Sequence, residues 1–155
     1  MTPEEQTLSL LADRFLGAAK LHAAGKLDAA EDELRSILSA EPRLAEPRLM
    51  LGRILLDTSR LEDAEEHTRE ALSILEADGQ WTEDLPENVL RGLAHAQLAE
   101  VLRRIADEDD VIFGDPDRFH KLLADSQSHF ATAAELDPSD ETSSYYAFFM
   151  GPTEN

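Results

Sequence analysis

The chain has 155 residues, no cysteine, and 33 acidic against 14 basic residues, which gives a formal net charge of −19. A field of this sign repels phosphate backbones and anionic membrane surfaces, so it argues against nucleic-acid binding as a main role. Without cysteine there is no disulfide framework or thiolate chemistry. The length is that of one domain, and no run of 18 apolar residues predicts membrane insertion. The start of the sequence lacks the basic region of a secretory signal, so a cytoplasmic protein is expected.

The first two predicted helices are separated by Gly25. Thr2, Pro3 and Glu5 form a helix start, because Thr2 can cap, proline suits the first turn, and Glu5 completes a capping box. Apolar residues then recur at helical spacing up to Gly25. A second helix is expected over about residues 27–40.

Residues 14–42 recur 34 positions later as residues 48–76. A fixed period of this length indicates a repeat architecture rather than a single closed core. The identical positions are Arg14/Arg48, Leu21/Leu55, Leu27/Leu61, Ala30/Ala64, Glu31/Glu65, Arg35/Arg69, Leu38/Leu72 and Ser39/Ser73.

Each copy has the internal spacing of a helix–turn–helix unit. The first copy reads Arg14-x2-Gly17-Ala18-x2-Leu21, then Ala30-x3-Leu34, then Pro42. The second copy reads Arg48-x2-Leu51-Gly52-x2-Leu55, then Ala64-x3-Thr68, then Glu76. This resembles the tetratricopeptide repeat, written W-x2-L-G-x2-Y, A-x3-F, P. The copies depart from it in lacking the first aromatic residue and in carrying Gly17 and Thr68 where larger apolar residues are usual. The resemblance covers residues 11–76 and implies an all-α, right-handed α-solenoid that serves as a binding scaffold.

A third, expanded repeat follows the two regular copies. Helices are predicted over about 46–58, 61–77, 86–106 and 116–136, with a loop at 78–86 and an inserted loop at 107–115. Trp81, in the first loop, is expected to pack over the edge of the stack rather than contact a ligand. The predicted units are repeat 1 at about 3–42, repeat 2 at about 45–77, repeat 3 at about 85–138, and a capping helix at about 139–151.

The C-terminal segment is the most aromatic in the chain. Ser139 is expected to cap this last helix and Gly151 to stop it, and Tyr145, Tyr146 and Phe149 are its candidate interface residues. A solenoid must cover its last apolar face, which makes a capping helix the simplest reading. Two alternatives stay open: the helix docks on another copy of the chain, or it lies in the protein's own groove.

The sequence offers no candidate catalytic residues, no metal site and no cofactor site. The histidines are scattered without an HExxH arrangement, and there is no phosphate-binding glycine loop or GxSxG elbow. The acidic run at 107–110 lacks the alternating acids, the central glycine and the terminal glutamate of a calcium loop. A solvated acidic loop is the expected structure there.

The resemblance implies that the first helix of each repeat lines a concave surface. Helical spacing then selects the groove residues: Phe15, Ala19 and His22; Leu49, Met50, Arg53 and Leu56; Ala96, Gln97, Glu100, Arg103 and Arg104. The first two sets are largely apolar, which suits a short apolar peptide or helix.

The groove arginines have two interpretations. Arg53 with Arg103 or Arg104 could orient a partner by bidentate carboxylate binding, or these arginines could pair with Glu46, Asp57 or Glu100 on neighbouring turns. The chaperone-tail clamp found in this family needs a lysine and an asparagine where this chain has Phe15 and Ala19, so that activity is not expected.

The sequence therefore predicts a non-enzymatic interaction scaffold or adaptor that binds a peptide or helix of a partner protein. Its size and three repeats also resemble secretion chaperones built from this repeat, although no motif specific to them is present. Two alternatives remain. One is a self-assembling structural protein that forms a homo-oligomer through the aromatic C-terminal helix. The other is a regulatory accessory subunit of an enzyme.

Overall fold

The computed structural model describes residues 2–149, and all regular structure within them is α-helical. The all-α solenoid expected from the sequence is confirmed. The helices are α1 Pro3–Ala23, α2 Leu27–Ala40, α3 Ala45–Asp57, α4 Leu61–Asp78, α5 Glu87–Ala106, α6 Asp109–Ile112, α7 Pro116–Leu136 and α8 Glu141–Phe149. Consecutive helices pack as hairpins, α1 with α2, α3 with α4, and α5 with α7.

The first two hairpins turn in the same way. At the end of α1 the Lys26 amide donates to the Leu21 carbonyl, with Gly25 at a φ of +78°. In the next repeat the Arg60 amide donates to the Leu55 carbonyl, with Ser59 at a φ of +62°. Both are Schellman turns, which need a residue in the left-handed region. Only the first copy has glycine there, so Ser59 carries a conformational cost that Gly25 does not.

Side-chain contacts between the paired helices also repeat at the 34-residue period. Arg14 of α1 donates to Glu33 of α2 at 2.6 Å (Nε–Oε1), and Arg48 of α3 contacts His67 of α4 at 3.1 Å (Nη1–Nδ1). The partners occupy equivalent positions, but the second is neutral when it accepts from Arg48. The repeat has therefore kept the position of the contact while replacing an ion pair by a hydrogen bond.

A buried hydrogen-bond junction holds α3, α4 and α5 together. The Gln97 amide nitrogen donates to the Leu49 carbonyl and to the Thr68 hydroxyl, both at 3.0 Å. This junction sits against Gly52, where a Cβ atom would lie 2.6 Å from Thr68 Oγ1 and 2.8 Å from Gln97 Nε2. Because glycine has no side chain, the three helices approach closely enough to form both bonds. Two residues further along α5, the Ala99 carbonyl accepts from the Ser126 hydroxyl, which joins α7 to α5.

The insertion at 107–115 is more ordered than the sequence predicts. Its middle forms the short helix α6, and Val111 is buried, so the prediction of a loop throughout is wrong. A four-residue helix shows no periodicity in a sequence, and one buried valine is enough to fix it against the stack. Asp115 accepts from the Arg118 amide at 3.1 Å and caps α7.

The helix α8 lies against α7 rather than in the groove. Tyr146 stacks on Phe130 with ring centroids 4.8 Å apart, and the Arg103 guanidinium lies 4.9 Å from the centre of the tyrosine ring. The Gln127 amide donates to the Ala147 carbonyl at 3.2 Å. The expected cap at Ser139 is wrong, because the Asp140 carboxylate accepts from the Ser143 amide instead. The Phe149 side chain and residues 150–155, including the expected stop at Gly151, lie outside the described residues.

Replacing Tyr146 by alanine is expected to lower the free energy of unfolding by about 1.5–3 kcal/mol. The loss combines aromatic stacking on Phe130 with the cation–π contact to Arg103. Urea denaturation followed by circular dichroism measures it. Tyr145 is 57% exposed, so Tyr145→Ala is the neighbouring control and should cost less. Equal losses in the two variants would show that α8 does not cap the stack through Tyr146.

Two histidines meet where α5 packs on α7. The Nδ1 atoms of His95 and His129 are 3.0 Å apart, and the rings stack at 5.2 Å. One ring must accept the hydrogen bond, so both cannot be protonated without breaking it. Burial lowers the pKa of His95, and the neighbouring His129 lowers it further. Burial likewise lowers the pKa of His129.

The free energy of unfolding should therefore fall on mild acidification. The unfolded chain protonates these histidines near their ordinary pKa of about 6.5, whereas the folded chain resists protonation to lower pH. This stability is complete above about pH 6.5 and is lost as the pH falls below it. Urea denaturation across that window should show the decline, and His95→Gln/His129→Gln should flatten it. A decline that persists in this double variant but disappears in His120→Gln, at an exposed position, would contradict the assignment.

Candidate functional site

A cavity of about 480 Å³ opens between α1, α3, α5 and the segment that connects α4 to α5. We call it the groove, and we call residues 79–86 the wall segment. The helices that line it are the first helices of the three hairpins. Its lining residues are Phe15, Ala19, His22, Glu46, Leu49, Met50, Arg53, Thr82, Asp84, Leu85, Leu90, Leu93, Ala96, Gln97 and Glu100.

Most of the groove residues chosen from the sequence lie in this cavity. Phe15 and His22 of α1 line one side, Leu49 and Arg53 of α3 line the floor, and Gln97 of α5 lines the opposite side. Gln97, however, is buried, and its amide is bound to α3 and α4. It therefore supports the floor of the groove rather than offering a donor to a ligand.

Three of the residues assigned to the groove do not line it. Leu56 is fully buried in the core between the helices. Arg104 donates to the Leu56 carbonyl at 2.9 Å and to the Ser59 hydroxyl at 3.2 Å, so it joins α5 to the end of α3. Arg103 faces α8 through Tyr146. The helical stripe that contains Glu100 turns out of the groove before it reaches either arginine.

Arg53 is the cation in the groove lining, and it is already paired. Its guanidinium contacts Glu100 of α5 at 3.1 Å (Nη1–Oε2) and Asp57 of its own helix at 3.2 Å (Nη2–Oδ1). Of the two interpretations of this arginine, the structure shows pairing with neighbouring carboxylates. The pairs are partly exposed, so each contributes little to stability but holds the side chain along the groove.

A single buried carboxylate fixes the wall segment. Glu46, in the first turn of α3, accepts hydrogen bonds from the Trp81 amide at 2.9 Å and from the amide and hydroxyl of Thr82. The Trp81 ring then packs on Phe15 of α1, with centroids 5.8 Å apart. Trp81 thus closes the edge of the stack, as its aromatic surface suggested, and the wall segment bridges α1 and α3.

Residues 21–83 match the family model of the tetratricopeptide repeat. This part of the chain is similar to the tetratricopeptide repeat family. The matched region runs from the end of α1 through the second hairpin and into the wall segment. Repeats of this family generally mediate protein–protein interaction. A search of curated proteins finds no match to this chain.

Sequence reasoning missed the part of the groove that departs from the regular tetratricopeptide repeat. Leu90 and Leu93 precede Ala96, the first α5 residue selected from the sequence, and Leu85 lies in the wall segment. The spacing of Leu90, Leu93, Gln97 and Glu100 is helical and could have extended the α5 stripe toward its start. The position of the wall segment, in contrast, depends on tertiary contacts with Glu46.

Among residues 2–149, no three histidine, aspartate or glutamate side chains converge as metal ligands. In the same part of the chain, none of the helices is both long and apolar enough to cross a bilayer.

Proposed function

We propose that this chain is a non-enzymatic interaction module that binds a peptide or helix of a partner protein in the groove. The observation that carries the proposal is apolar surface left open in a concave site. Leu85 and Leu93, which line the cavity, are 40% and 47% exposed. Large apolar side chains in a groove are the anchors used by helix-in-groove recognition.

A groove-filling variant tests this proposal. Ala96 is a small residue on the α5 side of the groove, so Ala96→Trp would fill the space that a partner side chain needs. Ala124 is exposed on α7, away from the groove, and Ala124→Trp is the matched control. Circular dichroism first establishes that both variants fold.

The readout is affinity capture from a lysate, analysed by mass spectrometry with the native chain and the two variants in parallel. A protein held by the native chain and by Ala124→Trp, but lost by Ala96→Trp, supports the groove as the binding site. A protein held equally by all three contradicts it and moves the interaction to another surface. A substitution at Arg104 would not test the groove, because that side chain donates to the Leu56 carbonyl of α3.

A further inference from the structure

We infer that the partner segment is basic and amphipathic, with apolar residues that enter the groove and lysine or arginine residues that face its rim. This inference rests on the proposed function and adds the chemistry of the partner. It reverses the expectation that groove arginines receive a carboxylate.

The floor has no unpaired positive charge to offer an acidic ligand. Arg53 is matched by two carboxylates, Glu100 and Asp57. A ligand carboxylate would have to displace one of them and leave it without its partner, whereas a ligand cation would meet carboxylate oxygens already at the surface. The groove lining as a whole holds Glu46, Asp84 and Glu100 against this one arginine.

Further negative charge lies in the wall segment and at the first residue of α5, and we call Glu83, Asp84 and Glu87 the rim carboxylates; Asp84 lines the groove itself. Glu83, Asp84 and Glu87 are exposed, and within residues 2–149 none of the three has a hydrogen-bond or ion-pair partner on its side chain. Between Arg69 and Arg91 the sequence contains no lysine or arginine. The rim carboxylates form no ion pair within residues 2–149, in contrast to Asp78, which pairs with Arg43 at 2.7 Å.

The two arginines at the end of α5 do not add positive charge to the groove. Arg104 is bound to the α3 backbone and Arg103 lies on Tyr146, both outside the groove. The net charge of −19 acts in the same direction over longer range. Such a field attracts a cationic segment and accelerates its association, with a strong dependence on ionic strength.

The test uses three synthetic peptides of about 14 residues, enough for roughly four helical turns. All carry leucine at the same i, i+3, i+4 and i+7 positions, and the remaining positions are lysine, glutamine or glutamate. Fluorescence anisotropy measures the binding of each peptide to the full chain. The lysine peptide should bind about ten-fold or more tightly than the glutamine peptide, and the glutamate peptide should bind weakest. The preference should shrink between about 50 mM and about 500 mM salt.

Two triple variants separate the rim from overall charge. Glu83→Gln/Asp84→Asn/Glu87→Gln should weaken the lysine peptide by about five- to ten-fold and leave the glutamine peptide unchanged. Glu62→Gln/Asp63→Asn/Glu66→Gln removes the same charge from the exposed face of α4 and should change either affinity less than about two-fold. Equal weakening by both triple variants would overturn the inference, because the peptide would then sense only net charge.

The failure of the inference and that of the proposed function give different results. If the glutamine or glutamate peptide binds as tightly as the lysine peptide, and Ala96→Trp abolishes binding, the groove stands and the basic partner is wrong. If Ala96→Trp leaves the lysine peptide's affinity unchanged, the groove itself is wrong. If none of the three peptides binds, the inference of a basic amphipathic helix is wrong.

Discussion

Replacing Glu46 by alanine is expected to lower the free energy of unfolding by about 2–3 kcal/mol and to release the wall segment. The Glu46 side chain is buried, and its two oxygens accept from Trp81 and from Thr82. Hydrogen bonds to a charged acceptor contribute more than neutral ones. Within residues 2–149, the backbone amides of Trp81 and Thr82 donate to no other group. Partial opening of the wall lets water reach the freed donors, which keeps the loss below the sum of three bonds.

Trp81 allows this release to be measured separately from global unfolding, because it is the only tryptophan in the chain. Its ring leaves Phe15 when the wall opens, so its fluorescence emission should shift to the red in native buffer. Glu46→Gln keeps one acceptor oxygen and should fall between the native chain and Glu46→Ala. Glu66→Ala, at an exposed position on α4, should change neither property. An unchanged Trp81 emission in folded Glu46→Ala would show that the carboxylate does not hold the wall.

Gly52→Ala is expected to destabilise the fold by about 1–3 kcal/mol, although alanine is the better helix former by about 1 kcal/mol. The new methyl group would lie within 3.0 Å of both Thr68 Oγ1 and Gln97 Nε2, which are bonded to each other. Relief of this overlap requires the junction to separate, and that leaves buried polar atoms without partners. Chemical denaturation gives the free energy of unfolding directly.

Gly92 provides the matched control for this substitution. It is also a helical, buried glycine, but an added Cβ atom would find its nearest neighbour at 3.5 Å, an ordinary contact distance. Gly92→Ala should therefore be neutral or stabilise by up to about 1 kcal/mol. In a Gln97→Ala background, Gly52→Ala should cost less than in the native chain, because one of the two overlaps is gone. Equal losses in both backgrounds would contradict the junction as the cause.

The repeat period was enough to predict the hairpins and most of the groove. Positions such as Phe15, Leu49 and Arg53 follow from helical spacing once the first helix of each repeat is placed on the concave side. Leu56 fits the same spacing but is buried, because α3 is covered on most of its circumference and its sequence has no single apolar face. For such a helix, neighbouring elements decide which residues remain accessible.

The remaining errors come from contacts that have no counterpart in the regular repeat. Arg103 and Arg104 continue the helical stripe of α5, but the stripe passes from the groove to α3 and α8 within one turn. The wall segment is an insertion whose position depends on a buried glutamate 35 residues earlier in the chain. Neither long-range contact leaves a periodic signal in the sequence.

The two sides of the groove differ in how firmly they are held. Of α1, only Leu11 and Ala18 are buried, whereas more than half of α5 is buried on several sides. Local opening requires less free energy where fewer apolar contacts are lost. Amide hydrogens of α1 should therefore exchange with solvent faster than those of α5. A ligand that spans the groove would bind Phe15 and His22 as well as α5, so it should slow exchange most in α1.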